Sequence, residues 1–242
     1  MKLIIFIVSF LTFGVQAASD FDSGVEAFQA KKYDSAIAFF NAAVKKSPSD
    51  ISSYYNLGLA HKEQENYSEA LWAFEKVLRY SPNDGEVKEL ARFCYDQLHP
   101  NKDWSPRIGA FKSALYSLSA GTWAIMSIIL AVLFAGSLFV FTRSTNGSWR
   151  RVYILMMSAS MPLMIACILI GNGANKYMND SSFAITLMET ATHKDGSAGS
   201  AIDLPAGERL KKVAEKDKNG FIKVRIESGS EHLVKETDLA FI

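Results

Sequence analysis

The apolar residues of this 242-residue chain are concentrated in three blocks, and the rest of the sequence is strongly polar. The first block is a run of 11 apolar or small residues over positions 3–13. The second and third blocks, residues 113–142 and 152–175, contain no charged residue. Because such long uncharged stretches are typical of membrane spans, the pattern excludes a single compact soluble domain and predicts a segmented membrane protein.

The N-terminal block has the layout of a secretory signal peptide. Lys2 gives it a positive start, and Val15 and Ala17 occupy the positions that a signal peptidase reads. The apolar run is too short to cross a bilayer, which requires roughly 20 residues. We therefore predict a signal peptide over residues 1–17 that is cleaved after Ala17, with an uncleaved anchor as the alternative.

The two longer blocks predict a pair of transmembrane helices, over residues 121–141 and 152–171. Each is long enough to cross a hydrocarbon core about 30 Å thick. The stretch before the first span predicts an interfacial linker over residues 101–120, and residues 172–182 form a second linker.

The short segment between the two spans, residues 142–151, predicts a cytoplasmic loop. It has no acidic residue and carries three arginines: Arg143, Arg150 and Arg151. Basic loops between spans favour the cytoplasmic side. This orientation agrees with the signal peptide, so residues 18–112 and the chain after about residue 176 are expected outside the cytoplasm.

The polar segment before the membrane contains an internal repeat of 34 residues. The matched pairs are Gly24 and Gly58, Tyr33 and Tyr67, Ala36 and Ala70, Phe40 and Phe74, Ala43 and Val77, and Pro48 and Pro82. A 34-residue period with these residue types resembles the tetratricopeptide repeat (TPR), in which each repeat is a pair of antiparallel helices. We predict repeats over residues 17–50 and 51–84 and a closing helix over residues 86–98, all within a domain of residues 18–100.

The resemblance implies a groove, lined by the first helix of each repeat, that binds an extended peptide or a helix of another protein. By repeat position the inward residues are Phe21, Val25, Phe28, Tyr55, Leu59 and Lys62. Asn56 alone matches the family's pattern for gripping a terminal carboxylate, so that ligand is not carried over. The alternative for the three residues of the first repeat is that they are core or membrane-facing.

The last segment, residues 183–242, predicts a small all-β domain. Apolar and polar residues alternate over residues 222–227, and glycines at 207, 220 and 229 are suited to turns. Residues 204–208 (LPAGE), 220–226 (GFIKVRI) and 232–234 (HLV) are similar to the motifs of bacterial SH3-like barrels. Some such domains bind cell-wall peptide through an aromatic cleft, for which Phe221 is the candidate here, with a core position as the alternative.

The composition excludes several functions and indicates no catalytic chemistry. The formal net charge of +1 gives no electrostatic reason to expect a nucleic-acid partner. The two cysteines and four histidines are scattered, and no sequence motif of a hydrolase, metal site or phosphate-binding loop is present. We therefore expect no enzyme activity, no cofactor and no metal.

The order of segments resembles, over essentially the whole chain, the BatE family of the aerotolerance (Bat) operons of Bacteroidetes and related bacteria. The resemblance implies a multi-pass protein of the bacterial inner membrane whose N- and C-terminal domains lie in the periplasm. It implies a non-catalytic scaffold beside Bat membrane proteins with von Willebrand factor A-type domains, linked to aerotolerance or envelope stress. A receptor that senses or anchors peptidoglycan peptide, and a purely structural membrane subunit, are the alternatives.

Overall fold

A computed structural model describes residues 19–193, 201–218 and 220–242. The predicted signal peptide lies outside the described residues. The helices are α1 (Asp20–Gln29), α2 (Tyr33–Lys46), α3 (Ile51–Glu63), α4 (Tyr67–Tyr80), α5 (Gly85–Leu98), α6 (Ala110–Tyr116), α7 (Ala120–Arg143) and α8 (Gly147–Met178). Seven short strands follow them.

Helices α1 to α5 form the predicted helical region, with two antiparallel pairs closed by a fifth helix. The same contact holds each pair together. A Cβ atom on Gly24 would lie 2.5 Å from the ring of Phe40, and one on Gly58 would lie 2.7 Å from the ring of Phe74. Only glycine lets the first helix approach the aromatic ring of the second this closely, which explains the repeated glycine and phenylalanine.

Local signals set the helix ends. The Asp84 carboxylate accepts a hydrogen bond from the Val87 N–H at 3.2 Å and caps α5. Helices α2 and α4 each end two residues before a proline, at Pro48 and Pro82. A proline disfavours helical backbone in the residue before it, so it ends each repeat.

Helices α7 and α8 form an antiparallel hairpin, and both are long and apolar enough to cross a membrane. They pack through small residues: a Cβ atom on Gly171 would lie 3.0 Å from Cβ of Trp123, and Ser137, Ser160 and Cys167 are buried. Helix α8 begins at Gly147, so only residues 144–146 connect the helices. Arg150 and Arg151, which were predicted in a loop, lie in the first turns of α8.

Residues 101–120, predicted as a linker, are packed against the helical region. The indole of Trp104 is buried and donates a hydrogen bond to the Glu75 carboxylate at 3.3 Å. The Ser113 hydroxyl donates to the Pro82 carbonyl oxygen at 2.6 Å. Helix α6 contacts the last turns of α8, where the Tyr116 and Tyr177 ring centroids are 5.7 Å apart. The apolar hairpin is therefore joined to the repeats through packed side chains.

The C-terminal segment is an antiparallel sheet in the order β3-β2-β6-β5-β4-β1-β7. Its strands are β1 (Phe183–Thr186), β2 (Thr190–His193), β3 (Ala201–Leu204), β4 (Arg209–Lys212), β5 (Phe221–Arg225), β6 (Glu231–Lys235) and β7 (Leu239–Phe241). The pairings leave β3 and β7 as edges in the described part of the chain, so the predicted closed SH3-like barrel is not shown. The outer edge of β7 is covered by a helix instead: the Phe241 carbonyl oxygen accepts a hydrogen bond from the Trp72 indole at 2.9 Å.

Helix α4 joins the repeats to this sheet through one face. Its polar residues Ser68, Trp72, Glu75 and Arg79 recur at helical spacing and each has a partner outside the repeats. The Ser68 hydroxyl donates to the Leu187 carbonyl oxygen at 2.7 Å. The Arg79 guanidinium donates to the backbone oxygen of Ile242 at 2.6 Å. One hydrophobic cluster also contains residues of α4, α5 and the sheet. The repeats and the sheet therefore share a core.

Candidate functional site

The first helices of the repeats, α1 and α3, and the closing helix α5 carry the predicted groove. The opposite side of the second repeat is unavailable, because the sheet covers the polar face of α4. The candidate site is therefore the set of half-buried side chains along α1, α3 and α5.

On α1, the three predicted groove residues are only half-buried and pack against the core of the first repeat. The Phe21 ring centroid is 6.0 Å from that of Phe40, and the Phe28 centroid is 5.5 Å from that of Tyr33. Val25 contacts the same cluster. These side chains fill part of the core, in line with the alternative drawn from the sequence, and each keeps an exposed portion.

On α3, Tyr55 links the second repeat to the closing helix. Its hydroxyl donates to the Glu86 carboxylate at 2.5 Å. This hydrogen bond, together with burial and the negative charge of Glu86, raises the pKa of Tyr55 to about 12. Tyr55 and Leu59 both pack against the shared core. Tyr55 is therefore a neutral donor at physiological pH and fixes the spacing of α3 and α5.

The two polar residues predicted for the groove on α3, Asn56 and Lys62, have different partners. The Asn56 amide donates to the Ser52 carbonyl oxygen at 2.9 Å, within its own helix. The Lys62 ammonium is 3.0 Å from the Glu63 carboxylate and 5.8 Å from the Phe93 ring centroid on α5. Lys62 thus lies beside an aromatic ring of α5, whereas the side-chain amide of Asn56 is used within its own helix.

Phe93 on α5 was not among the residues predicted for the groove. Its side chain is 42% exposed, and its ring centroid is 6.0 Å from that of Tyr67. Phe93 lies 34 residues after Leu59, which in turn lies 34 residues after Val25. Extending the period into α5 would have found it. We call these three equivalent positions, one on each of α1, α3 and α5, the groove ladder (Val25, Leu59, Phe93); Phe93 is exposed, and the other two are half-buried.

Phe221, the candidate for a wall-peptide cleft, lies on the outer face of β5. Ile222 and Val224 fill the core of the sheet, so Phe221 shares its face with Lys223 and Arg225. Its strand neighbour across the ladder is Lys235. The ring is half-buried and its neighbours on that face are charged, so ligand binding by Phe221 stays a prediction.

Two titratable side chains in the helical region, Cys94 and His61, are affected mainly by burial. Cys94 is buried in α5, and burial raises the pKa of its thiol to about 12. Burial lowers the pKa of His61. Within the described ranges, no group of three or more His, Cys, Asp or Glu side chains is arranged to hold a metal ion.

The geometry defines a class: helical-hairpin repeats attached to an apolar hairpin and a sheet. Comparisons with known proteins specify the repeat. Residues 24–65 match the family model for the TPR repeat, and residues 51–84 match that for the tetratricopeptide repeat. Residues 24–84 are therefore tetratricopeptide repeats, as the 34-residue period predicted.

One similar protein is the chloroplast "Tetratricopeptide repeat domain-containing protein PYG7" of Arabidopsis thaliana. It is 39% identical over 61 residues, which are 25% of this chain and 20% of the relative. The match spans only about a fifth of the relative's length. No solved structure matches the chain.

Proposed function

We propose that this protein is a non-catalytic membrane scaffold that recruits a partner protein to the groove of its tetratricopeptide repeats. The repeats are a protein-interaction module, and the two apolar helices supply a membrane anchor. The observation that carries the proposal is the groove ladder, which ends in the exposed ring of Phe93 beside Lys62. Aromatic side chains are enriched at the cores of protein interfaces, so the exposed ring of Phe93 is suited to contact a bound segment.

The surroundings of the ladder indicate what the groove accepts. Apolar side chains from α1 and α3 flank it, and the polar groups at its rim belong to Lys62, Glu63 and Glu86. An amphipathic helix, or an extended segment with alternating apolar residues, could contact the apolar side chains with one face and the polar rim with the other. Two repeats give a short groove, so a stable complex needs further contacts, which a shared membrane anchor supplies by raising the effective concentration.

The cellular setting follows from the resemblance to the BatE family. The proposed location is the bacterial inner membrane, with the repeats and the sheet in the periplasm. The proposed partners are Bat-type membrane proteins with von Willebrand factor A-type domains, and the proposed role is in aerotolerance or envelope stress.

Co-purification of the full-length protein after gentle solubilisation tests the proposal. Phe93→Ala removes the exposed ring from the groove, and Phe39→Ala is the matched control, since Phe39 is 40% exposed but lies on the second helix of the first repeat. We expect Phe93→Ala to reduce recovery of the partner by roughly tenfold or more, as for an interface anchor. Equal recovery with both variants would overturn the groove as the binding site.

A further inference from the structure

Two cations share one aromatic ring at the junction between the membrane hairpin and the sheet. The guanidinium of Arg107 lies 4.2 Å from the Phe183 ring centroid, and the ammonium of Lys211 lies 5.8 Å from it. In the described part of the chain, neither forms an ion pair within 4.0 Å. Asp180 is the acidic group whose charge interacts with both.

Arg107 also has unsatisfied hydrogen-bonding groups. Its Nε and one terminal nitrogen are buried without a hydrogen-bond partner among the described residues. Stacking on Phe183 and a distance of 5.4 Å to the Tyr177 ring centroid fix the plane of the guanidinium. A buried donor without an acceptor is unfavourable, so this guanidinium has unused hydrogen-bonding capacity. The positive charge here is therefore held in place and only partly neutralised.

Two open clefts meet at Lys211. One has a volume of about 300 Å³ and contains Arg107, Phe183 and Lys211 in its wall. The other, of about 640 Å³, is bounded by the end of α8 and includes Lys176 and Lys211. Six basic and three acidic side chains line the two clefts. We call Arg107, Lys176 and Lys211 the basic cleft.

Other charges in the two walls are already paired. Arg209 pairs with Glu75, Arg225 with Glu231, and Lys212 with Glu215. The three residues of the basic cleft are thus the cations in these walls for which no ion pair is present in the described ranges. An anion bound at Lys211, which lines both clefts, would add a negative charge near these cations.

The position of the basic cleft identifies the source of that anion. Lys176 lies five residues beyond the predicted end of the second span, roughly 7 Å further along the helix axis. The polar layer on each side of the hydrocarbon core is about 5–8 Å thick. If the hairpin spans the membrane, Lys176 lies among the lipid headgroups, and Arg107 contacts Tyr177 in the same turn of helix.

We propose that the basic cleft binds the phosphate of an anionic lipid headgroup and thereby fixes the repeats and the sheet at the membrane surface. Charged hydrogen bonds from guanidinium and ammonium groups to phosphate oxygens are the chemistry expected of such a site. This inference rests on the proposed membrane anchoring.

Native mass spectrometry of the full-length protein tests the inference, with dioleoylphosphatidylglycerol as the anionic probe and dioleoylphosphatidylcholine as the neutral one. The variant Lys176→Gln/Lys211→Gln removes two exposed cations of the cleft. The matched control Lys45→Gln/Arg92→Gln removes two exposed cations from α2 and α5. We expect roughly 30-fold weaker phosphatidylglycerol binding for the cleft variant, because each cation near an anionic surface contributes about fivefold. The control should bind like the wild type.

The remaining outcomes separate the two proposals. Flotation of the same protein with lipid vesicles reports membrane insertion independently of headgroup preference. If the protein inserts but both variants lose the same affinity for phosphatidylglycerol, the lipid site is overturned and the membrane scaffold is not. The same holds if the protein inserts and does not prefer phosphatidylglycerol to phosphatidylcholine. Displacement of phosphatidylglycerol by excess inorganic phosphate would assign the site to a free anion and also overturn it. Protein that does not insert contradicts the membrane scaffold itself.

Discussion

At the scale of single residues, the same close contact is made in both repeats. Gly24 and Gly58 each lie beneath a phenylalanine ring of the following helix. Their identity could be predicted from the period, since a small residue and an aromatic ring recur together. The hydrogen bond between Tyr55 and Glu86 could not, because it depends on the angle between α3 and α5, which no repeat position encodes.

Gly58→Ala tests the glycine contact. The added methyl group would lie 2.7 Å from the Phe74 ring, so the helices must separate. Overpacking of this kind costs about 1–3 kcal/mol. We expect a melting temperature of the full-length protein lower by several degrees, measured by differential scanning fluorimetry in detergent. Gly85→Ala is the control, since no atom lies within 4 Å of its added methyl group. An equal effect of both changes would contradict the assigned contact.

His99 makes the stability of the protein depend on pH. It follows α5 and lies against Gly207 of the turn between β3 and β4. Burial lowers the pKa of His99 from its ordinary value of 6.5, while the Glu208 carboxylate opposes the shift and the charge of Lys102 adds to it. The unfolded chain therefore binds a proton that the folded ring resists, so the free energy of unfolding falls as pH drops below about 6.5.

Denaturant unfolding of the full-length protein between about pH 7 and pH 5 measures this dependence. His99→Gln keeps a neutral polar group at the position, and we expect a shallower loss of stability with falling pH. His61, whose pKa burial also lowers, accounts for part of the remaining slope. An unchanged slope in the His99 variant would contradict the assignment.

At the scale of elements, α4 packs both against the other helices of the repeats and against the sheet, and the sequence indicated only the first of these contacts. Its apolar face was predicted from the repeat pattern. The sequence does not indicate a partner for its polar face, because the sheet residues that complete the hydrogen bonds of Trp72, Glu75 and Arg79 are more than 100 positions away in the chain. The sequence therefore predicted the helix but not the interface.

Glu75→Ala tests the interface between α4 and the sheet. The Glu75 side chain is 1% exposed and that of its partner Arg209 is 12% exposed. Removing one member of a buried ion pair leaves the other charge unpaired and costs about 3–5 kcal/mol. We expect a large loss of stability by thermal unfolding, and a double variant with Arg209→Ala should lose less than the sum. Glu236→Ala, which breaks an exposed pair with Lys216, should change little.

The sheet shows a similar division between what the sequence predicts and what it does not. Alternation of apolar and polar residues correctly identified β5. Strands β2, β3 and β7 have three or four residues each, too few to show a period of two. The contact between α4 and the β7 edge joins residues far apart in the chain, so short motifs could not predict it. The motifs alone therefore led to the expectation of a closed barrel.

At the scale of the whole molecule, the repeats, the sheet and the ends of the apolar hairpin meet in one place. The sequence suggests separate modules on an anchor, because the stretch over residues 101–120 has the composition of a linker. Trp104 and Ser113 instead pack into the helical region, and Arg107 reaches the end of α8. The groove ladder and the basic cleft are therefore held in a fixed relation to the hairpin.

Both proposals require the hairpin to cross the membrane with the repeats and the sheet outside the cytoplasm. Labelling of single cysteines with a membrane-impermeant maleimide on spheroplasts tests this most directly. Gly147 and Gly109 are suitable sites at opposite ends of the hairpin, since an added Cβ atom at either meets nothing within 4 Å. We predict that Gly109→Cys is labelled from outside and that Gly147→Cys is labelled only after lysis. Labelling of Gly147→Cys on intact spheroplasts would contradict the account.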